Sequence, residues 1–183
     1  MAVTGGKFHA MSDGTQAQWA EIARGDRAYA EQIPERMLVH LEMLADDRHG
    51  MAVDRLEHSL QTATRALRDG RDEEYVVCAL LHDIGDVLAP THHAEYAAVV
   101  LAPFISERNL WMIRHHAIFQ SYYFNHFFGG DRNARERFRG HPHFDYTAEF
   151  CALYDQRAFD PYYRSLTLAD FAPMLRRILT RSQ

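Results

Sequence analysis

Apolar residues recur at intervals of three and four along the first quarter of the chain. Between residues 16 and 44 they are Trp19, Ile22, Ile33, Met37, Leu41 and Leu44. This spacing predicts helices, broken near Gly25 and Pro34, that cover a core formed further along the chain. Residues 1–15 are rich in Gly, Ser and Thr and lack such spacing. They predict a loosely held N-terminal segment before a single domain at residues 16–183.

A helix with one polar face is predicted to begin after Asp54. Glu57, three residues later, completes a capping-box pattern, and Gly70 marks the end of the helix. The apolar face is formed by Leu56, Leu60, Ala63 and Leu67, and the opposite face by His58, Gln61 and Thr62. Such a polar face is solvated on a surface helix, whereas on a central helix of a bundle it lines a polar site such as a metal centre.

The most apolar stretch of the chain ends in a histidine and an aspartate. Residues 75–81 read Tyr-Val-Val-Cys-Ala-Leu-Leu and predict a helix buried on every side, with a buried strand as the alternative for so short a run. His82 and Asp83 follow directly. An ionised carboxylate in apolar surroundings is strongly unfavourable unless it is paired or binds a cation. Asp83 therefore requires a partner, either a hydrogen-bonded histidine or a metal ion.

Four further helices complete the predicted fold. They cover residues 91–101, 106–120, about 146–154 and 168–179. The chain has no internal repeat and no alternating strand pattern of useful length. The sequence therefore predicts an all-α fold, a single helical bundle with its polar site between the central helices.

Composition and charge narrow the range of partners. The 183 residues are 47% hydrophobic and 25% charged, as in soluble globular proteins, and the net charge is -5. Without a basic cluster or a long apolar run, we expect neither nucleic acid nor a membrane as partner. Cys78 and Cys151 lie in apolar surroundings, which predicts buried thiols in a reducing, cytoplasmic compartment. The twelve histidines are unusual, because histidine is the commonest metal ligand.

Two motifs resemble the opening signature of the HD-domain superfamily of metalloproteins. Residues 57–63 read Glu-His-Ser-Leu-Gln-Thr-Ala, and residues 79–85 read Ala-Leu-Leu-His-Asp-Ile-Gly. The resemblance covers most of the chain from about His40 onward. The His-x-x-Gln-x-Ala form of the first motif is similar to the diiron oxygenases of the superfamily, namely the phosphonate-cleaving oxygenases and myo-inositol oxygenase. The HD phosphohydrolases share the first histidine and the His-Asp pair.

The resemblance implies six ligands for two metal ions. His58, His82 and Asp83 match the motifs, and Asp83 takes the place of the aspartate that bridges the two ions. The late aspartate of the family corresponds to Asp155, just after the predicted helix at residues 146–154. The alternative for Asp155 is an exposed carboxylate at a helix end.

Two ligand positions each have two adjacent candidates. His93 is favoured over His92, because the family pattern places small residues one turn later, as they stand here. His116 is favoured over His115, because the phosphonate oxygenases carry a polar, substrate-contacting residue four positions after this histidine, where Gln120 stands. His93 and His116 complete the implied set of six ligands.

Four imidazoles and two carboxylates suit transition ions better than Mg²⁺ or Ca²⁺. The resemblance implies two Fe ions in a mixed-valent Fe(II)/Fe(III) state, with Mn or Zn as less favoured alternatives. It implies an oxygenase that uses dioxygen to cleave a C–C or C–P bond of a small hydroxylated substrate. The alternatives are a phosphohydrolase with the same two-metal site and a regulatory module that binds without turnover.

Asp86 and Gln120 are the candidate substrate-contacting residues, and both depart from the phosphonate oxygenases. Those enzymes have a histidine three residues after the HD aspartate and a lysine four after the last metal histidine, where this chain has Asp86 and Gln120. A phosphonate would lose two favourable contacts and meet a carboxylate. A polyol, an amino-alcohol or a cationic substrate fits better. Asp86 has an alternative role as a helix-end residue or as a hydrogen-bond partner of a ligand histidine.

Residues 120–144 are dense in aromatic and basic side chains. They include Tyr122, Tyr123, His126, Arg132, Arg135, Arg137, Arg139, His141 and His143. The segment is either a lid that supplies substrate contacts or a surface excursion that packs on itself or on a second copy.

Overall fold

The computed structural model describes residues 8–46 and 48–181, and within these ranges the chain is all-α. Residues 1–7 of the predicted loose segment lie outside the described residues. Eight α-helices are present in the described part: α1 (Gln16–Ala30), α2 (Ile33–Glu42), α3 (Arg55–Arg68), α4 (Glu73–Leu81), α5 (His93–Leu101), α6 (Glu107–Gln120), α7 (Phe144–Leu153) and α8 (Leu168–Leu179). Short 3-10 turns join them, among them Ser121–Tyr123, Asn125–Phe128, Ala134–Phe138 and Asp155–Arg157. The predicted fold class is confirmed.

Local capping signals locate helix α3. The Asp54 carboxylate accepts a hydrogen bond from the Glu57 backbone N–H at 2.8 Å, which satisfies one of the free donors at the start of the helix. The Glu57 side chain does not complete the reciprocal bond, because it accepts hydrogen bonds from Gln61 and Ser165 instead. Gly70 follows the helix in a left-handed conformation, with φ of 78°.

One predicted helix break is wrong and the other is confirmed. Helix α1 continues through Gly25, because an interior glycine costs a helix only about 1 kcal/mol. The break falls instead at Glu31 and Gln32, just before α2. Pro34 stands in the first turn of α2, where its missing N–H has no helical partner to lose.

Helix α4 is the centre of the bundle and is a helix rather than a strand. Its residues 75–81 are all buried. It packs against α3, α6 and α8, while α5 and α7 pack on α6. The chain thus carries this buried helix directly to the point where His82 and Asp83 lie, inside the bundle. Cys78 and Cys151 are free and buried, as predicted.

None of the described helices combines the length and the apolar character that crossing a bilayer requires.

Candidate metal centre

Five elements bring the six predicted ligand residues into one cluster. His58 comes from α3, His82 and Asp83 from the turn after α4, and His93 from the first residue of α5. His116 comes from the last turns of α6, and Asp155 from the 3-10 turn after α7. All but His93 are at least nine-tenths buried.

Each of the four imidazoles is held from behind by a backbone carbonyl. The Nδ1 atoms of His58, His82, His93 and His116 lie 3.1, 2.8, 3.1 and 2.7 Å from the carbonyl oxygens of Ala158, Ala79, Pro90 and Ile113. Since a carbonyl only accepts, each Nδ1 carries a proton and donates. The Nε2 atoms are then the ones free to coordinate, as in histidines that bind metals.

The Nε2 atoms converge in two pairs, and Asp83 lies between the pairs. His58 and His82 bring their Nε2 atoms within 3.1 Å of each other, and both lie 3.4 Å from Oδ2 of Asp83. The opposite oxygen, Oδ1, lies 3.2 Å from Nε2 of His116 and 3.4 Å from Nε2 of His93. These last two Nε2 atoms are 3.2 Å apart. Each Asp83 oxygen therefore faces one histidine pair.

The buried carboxylates need a cation. Burial by itself raises the pKa of Asp83, but the neighbouring His82, His116 and His58 outweigh it and hold that pKa well below its usual range. Burial likewise raises the pKa of Asp155, and hydrogen bonds from His58 and His82 bring it below its usual value. Burial lowers the pKa of His58, yet hydrogen bonds to Asp155 and Asp83 raise it to about 10. The cluster therefore holds either an extra proton or a metal ion, and the two compete.

Asp155 offers direct support for a metal. Its Oδ1 lies 3.3 Å from Nε2 of His58 and 3.7 Å from Nε2 of His82. Its Oδ2 is buried and has no hydrogen-bond partner among the described residues. A buried carboxylate oxygen without a partner is costly unless a cation takes that place. The donor atoms present, imidazole nitrogens and carboxylate oxygens within 4.8 Å of one another, fit a transition-metal ion.

The two candidate substrate-contacting residues both touch ligand candidates. Gln120 donates from Nε2 to Oδ1 of Asp155 at 3.0 Å. Asp86 places Oδ1 3.1 Å from Nδ1 of His93, which is the alternative role stated for it. Asp83, Asp86 and His93 also form a third group of potential ligand atoms, but Asp86 faces the protonated Nδ1 side of the ring. A direct contact of Asp86 or Gln120 with substrate stays a prediction.

His92 and His115, the less favoured ligand candidates, lie outside the cluster. His92 is exposed, and its Nδ1 pairs with the hydroxyl of Thr91 at 2.9 Å. The Nδ1 atom of His115 bonds the carbonyl of Trp111, and the two rings stack with centroids 4.1 Å apart. His93 and His116, and not their neighbours, therefore lie in the cluster.

Sequence reasoning missed two contributors to the site, and the first is Arg55. Its guanidinium lies 3.1 Å from Asp86 and 3.5 Å from Asp83. Arg55 stands three residues before His58 on α3, so the helical spacing offered a signal for it.

The second missed contributor is the segment formed by residues 158–160. The carbonyl of Ala158 holds His58, and the ring of Phe159 stacks on the same imidazole with centroids 4.4 Å apart. Gln61 donates to the carbonyl of Asp160 at 2.8 Å and accepts from its N–H at 3.3 Å. The Gln61 side chain thus acts behind His58 by holding this segment to α3. No local signal in the sequence indicated these contacts.

The segment of residues 120–144 begins at Gln120, beside the cluster. Within it, arginine guanidinium groups pack on aromatic rings. The guanidinium groups of Arg132 and Arg135 lie 4.4 and 3.8 Å from the ring centre of Tyr122. Phe127 and Phe128 are 77% and 81% exposed. Both the lid and the surface-excursion interpretations stay predictions.

Comparison with known families gives a match over more than half of the chain. A family model described as HD domain matches residues 55–170, a span that begins at Arg55 and includes all six predicted ligands. A search of curated proteins found no match.

Proposed function

The chain belongs to the HD-domain family, and we propose that it is a dinuclear iron oxygenase acting on a small hydroxylated substrate. Family membership indicates a metal-dependent enzyme, and the buried histidine and aspartate cluster can hold a metal ion. The number of ions, their identity and the reaction are the proposed part.

The division of the cluster around Asp83 is the observation that carries the proposal of two ions. His58 and His82, which also lie beside Asp155, face one carboxylate oxygen of Asp83, and the second histidine pair faces the other. With a single ion, the other pair of Nε2 atoms, about 3 Å apart, would have to share a proton. Two ions would take the place of such protons, with His58 and His82 holding one, His93 and His116 the other, and Asp83 available to both.

The donor set favours a transition-metal ion, and the resemblance favours iron. Four imidazoles and two carboxylates are borderline donors, which suit iron, manganese or zinc better than hard ions such as Mg²⁺. Iron would supply one-electron chemistry and positions for dioxygen and a substrate hydroxyl, as the resemblance to the diiron oxygenases implies. The chain's own contribution is to fix the ligands, through the four backbone carbonyls, and to exclude water from one side of the cluster.

The two sides of the cluster differ in their access to solvent. The side chains of His58 and Asp155 are 1% and 3% exposed, whereas that of His93 is 22% exposed. A small substrate therefore reaches the cluster at His93, whose partner His116 is itself buried. Asp86 and Arg55 line this open side, where paired opposite charges suit a polar, uncharged or zwitterionic substrate better than a phosphonate dianion.

A metal-dependent phosphohydrolase could use the same cluster, with a metal-activated water as its nucleophile. The sequence feature that favours the oxygenase is the His-x-x-Gln-x-Ala motif. Gln61 of that motif holds residues 158–160 and does not face the open side of the cluster, so it does not contact the reacting groups. Assays of oxygen uptake and phosphate release therefore decide between the two reactions.

Metal content and oxygen consumption test the proposal together. Anaerobically purified protein should contain two iron ions per chain and, after partial oxidation, give a coupled mixed-valent paramagnetic resonance signal. Small hydroxylated substrates should then produce oxygen uptake. His116→Ala should lose at least one ion and the coupled signal, whereas the adjacent His115→Ala should keep both. Phosphate release from phosphorylated compounds without oxygen uptake, or failure of iron to bind as a pair, would contradict the proposed oxygenase activity.

A further inference from the structure

Arg55 is the only arginine or lysine paired with the cluster's carboxylates among the described residues. It lies on α3 and reaches the turn after α4, where its Nε atom is 3.1 Å from Oδ2 of Asp86. Its Nη1 atom is 3.5 Å from Oδ2 of Asp83. The guanidinium therefore joins the helix that carries His58 to two carboxylates of the neighbouring turn.

The pairing is substantially buried. The Asp86 side chain is 6% exposed and that of Arg55 is 23% exposed. Neither Nε of Arg55 nor Oδ2 of Asp86 has a well-formed hydrogen bond in the described part of the chain, so their ion pair is what compensates for their loss of water. Removing Arg55 would leave the buried Asp86 carboxylate with only His93 beside it.

His93 is the ligand candidate that most needs such support. The other three imidazoles are nine-tenths buried or more, whereas the His93 side chain is 22% exposed and lies at the first residue of α5. It is also the one whose Nδ1 faces a carboxylate in addition to a carbonyl, at 3.1 Å from Asp86. Arg55, Asp86 and His93 thus form a continuous chain of contacts that ends at the open histidine pair.

We propose that Arg55 is a positioning residue that holds Asp86 against His93 and thereby determines how tightly the open side of the cluster binds its metal ion. The inference rests on the proposed two-ion site, though not on its reaction. Arg55 acts through Asp86: it fixes the carboxylate, the carboxylate fixes the ring, and the ring presents Nε2. Partners behind a ligand histidine typically change metal affinity about 10- to 100-fold.

Titration of metal-free protein with Fe(II) under anaerobic conditions tests this role. The wild type should bind two ions per chain. Arg55→Gln and Asp86→Ala should bind the second ion, at the open pair, about 10- to 100-fold more weakly. The affinity for the first ion, at the enclosed pair, should change less, although Arg55 also lies 3.5 Å from the Asp83 oxygen that faces that pair. The double variant should lose no more affinity for the second ion than the single variant that binds this ion less tightly, because the two residues act as one unit.

Arg65→Gln is the matched control. Arg65 lies on the same helix and its guanidinium packs on the ring of Tyr163, 4.0 Å from the ring centre, so its removal should leave both affinities unchanged. Binding of the first ion also shows that each variant is folded. Arg55→Lys, which keeps the charge but loses the fork of donors, should recover part of the second affinity.

The outcomes separate this inference from the proposed function. If the wild type binds two ions and Arg55→Gln binds both with the wild-type affinities, the positioning role alone is overturned. Additive losses in the double variant also overturn it, because Arg55 would then act independently of Asp86. A wild type that binds one ion overturns the two-ion site and this inference with it.

Discussion

Gly85 lies at the closest approach between the turn that carries Asp83 and the start of helix α5. A Cβ atom built on Gly85 would come within 2.7 Å of both the Cα and the carbonyl oxygen of His93, and within 2.9 Å of the Cβ of Tyr96. Two of these contacts are with backbone, which cannot move aside without shifting α5. The absence of a side chain here lets His93 approach the cluster.

Gly85→Ala should therefore destabilise the protein by about 1–3 kcal/mol, the usual cost of forcing a methyl group into a filled space. Urea unfolding of the metal-free protein measures the change. Because the collision is with His93 itself, the variant should also bind the second metal ion more weakly than the wild type.

Gly25→Ala is the matched control for this prediction. Gly25 lies inside helix α1, and a Cβ atom there would meet nothing within 4 Å. The substitution should raise stability by about 0.5–1 kcal/mol, because alanine loses less freedom than glycine on entering a helix. Equal effects of the two substitutions would contradict the steric role of Gly85.

At the scale of elements, Glu74 joins the start of α6 to the central helix α4. Its Oε1 accepts hydrogen bonds from the Ser106 backbone N–H and from Nδ2 of Asn109, each at 2.7 Å. Ser106 is the residue just before α6, so Glu74 satisfies a free N–H at the beginning of that helix. Helix α6 carries His116, which makes this contact part of the support of the cluster.

Glu74→Ala should destabilise the fold by about 1–3 kcal/mol, because it leaves the two donors without their acceptor. Glu73→Ala is the neighbouring control: Glu73 makes an exposed ion pair with Arg177, and pairs of that kind contribute about 0–1 kcal/mol. Urea unfolding at neutral pH measures both. A loss in Glu73→Ala as large as that in Glu74→Ala would contradict the specific role of Glu74.

The contribution of Glu74 should also depend on pH. Burial raises the pKa of Glu74, but hydrogen bonds from Ser106 and Asn109 outweigh it, so the pKa in the folded protein lies below the ordinary value. A group with a lowered folded pKa contributes its full stability above the ordinary glutamate pKa and loses it as the pH falls through the folded pKa. The gap in unfolding free energy between wild type and Glu74→Ala should therefore narrow on acidification.

At the scale of the whole molecule, the cluster ties together elements far apart along the chain. His58 and Asp155 are 97 positions apart in the sequence, and the segment between them supplies the other four predicted ligands. An ion bound by these side chains binds the folded chain and not the unfolded one. Metal binding is therefore linked to the global stability of the bundle.

Addition of metal should raise the melting temperature, and a chelator should reverse the rise. An ion concentration 100 times the Kd adds about 2.7 kcal/mol, which corresponds to about 5–10 °C for a chain of this size. Calorimetry with and without chelator measures the shift. Asp155→Ala, which removes the buried oxygen that has no partner, should respond less than the wild type. A shift of equal size in that variant would argue that the ion binds elsewhere.

The sequence alone determined most of what depends on neighbours along the chain. The apolar run at residues 75–81 predicted the buried helix, and the Asp54 pattern predicted the start of α3. The break placed at Gly25 was wrong, because a single glycine is a weak helix breaker and nothing crowds it there. The resemblance supplied the six residues that the fold brings together.

Only the tertiary structure decided how those residues are held and which side of the cluster is open. The carbonyl of Ala158 behind His58, the bond from Gln61 to Asp160 and the ion pair of Arg55 with Asp86 join positions up to 100 residues apart. The spacing from His58 places Arg55 on the same face of α3, but the partners in these contacts leave no periodic signal, because they come together only when separate elements pack. The tautomer of each histidine, and so its free Nε2, follows from these long-range contacts as well as from the carbonyls of its own helix.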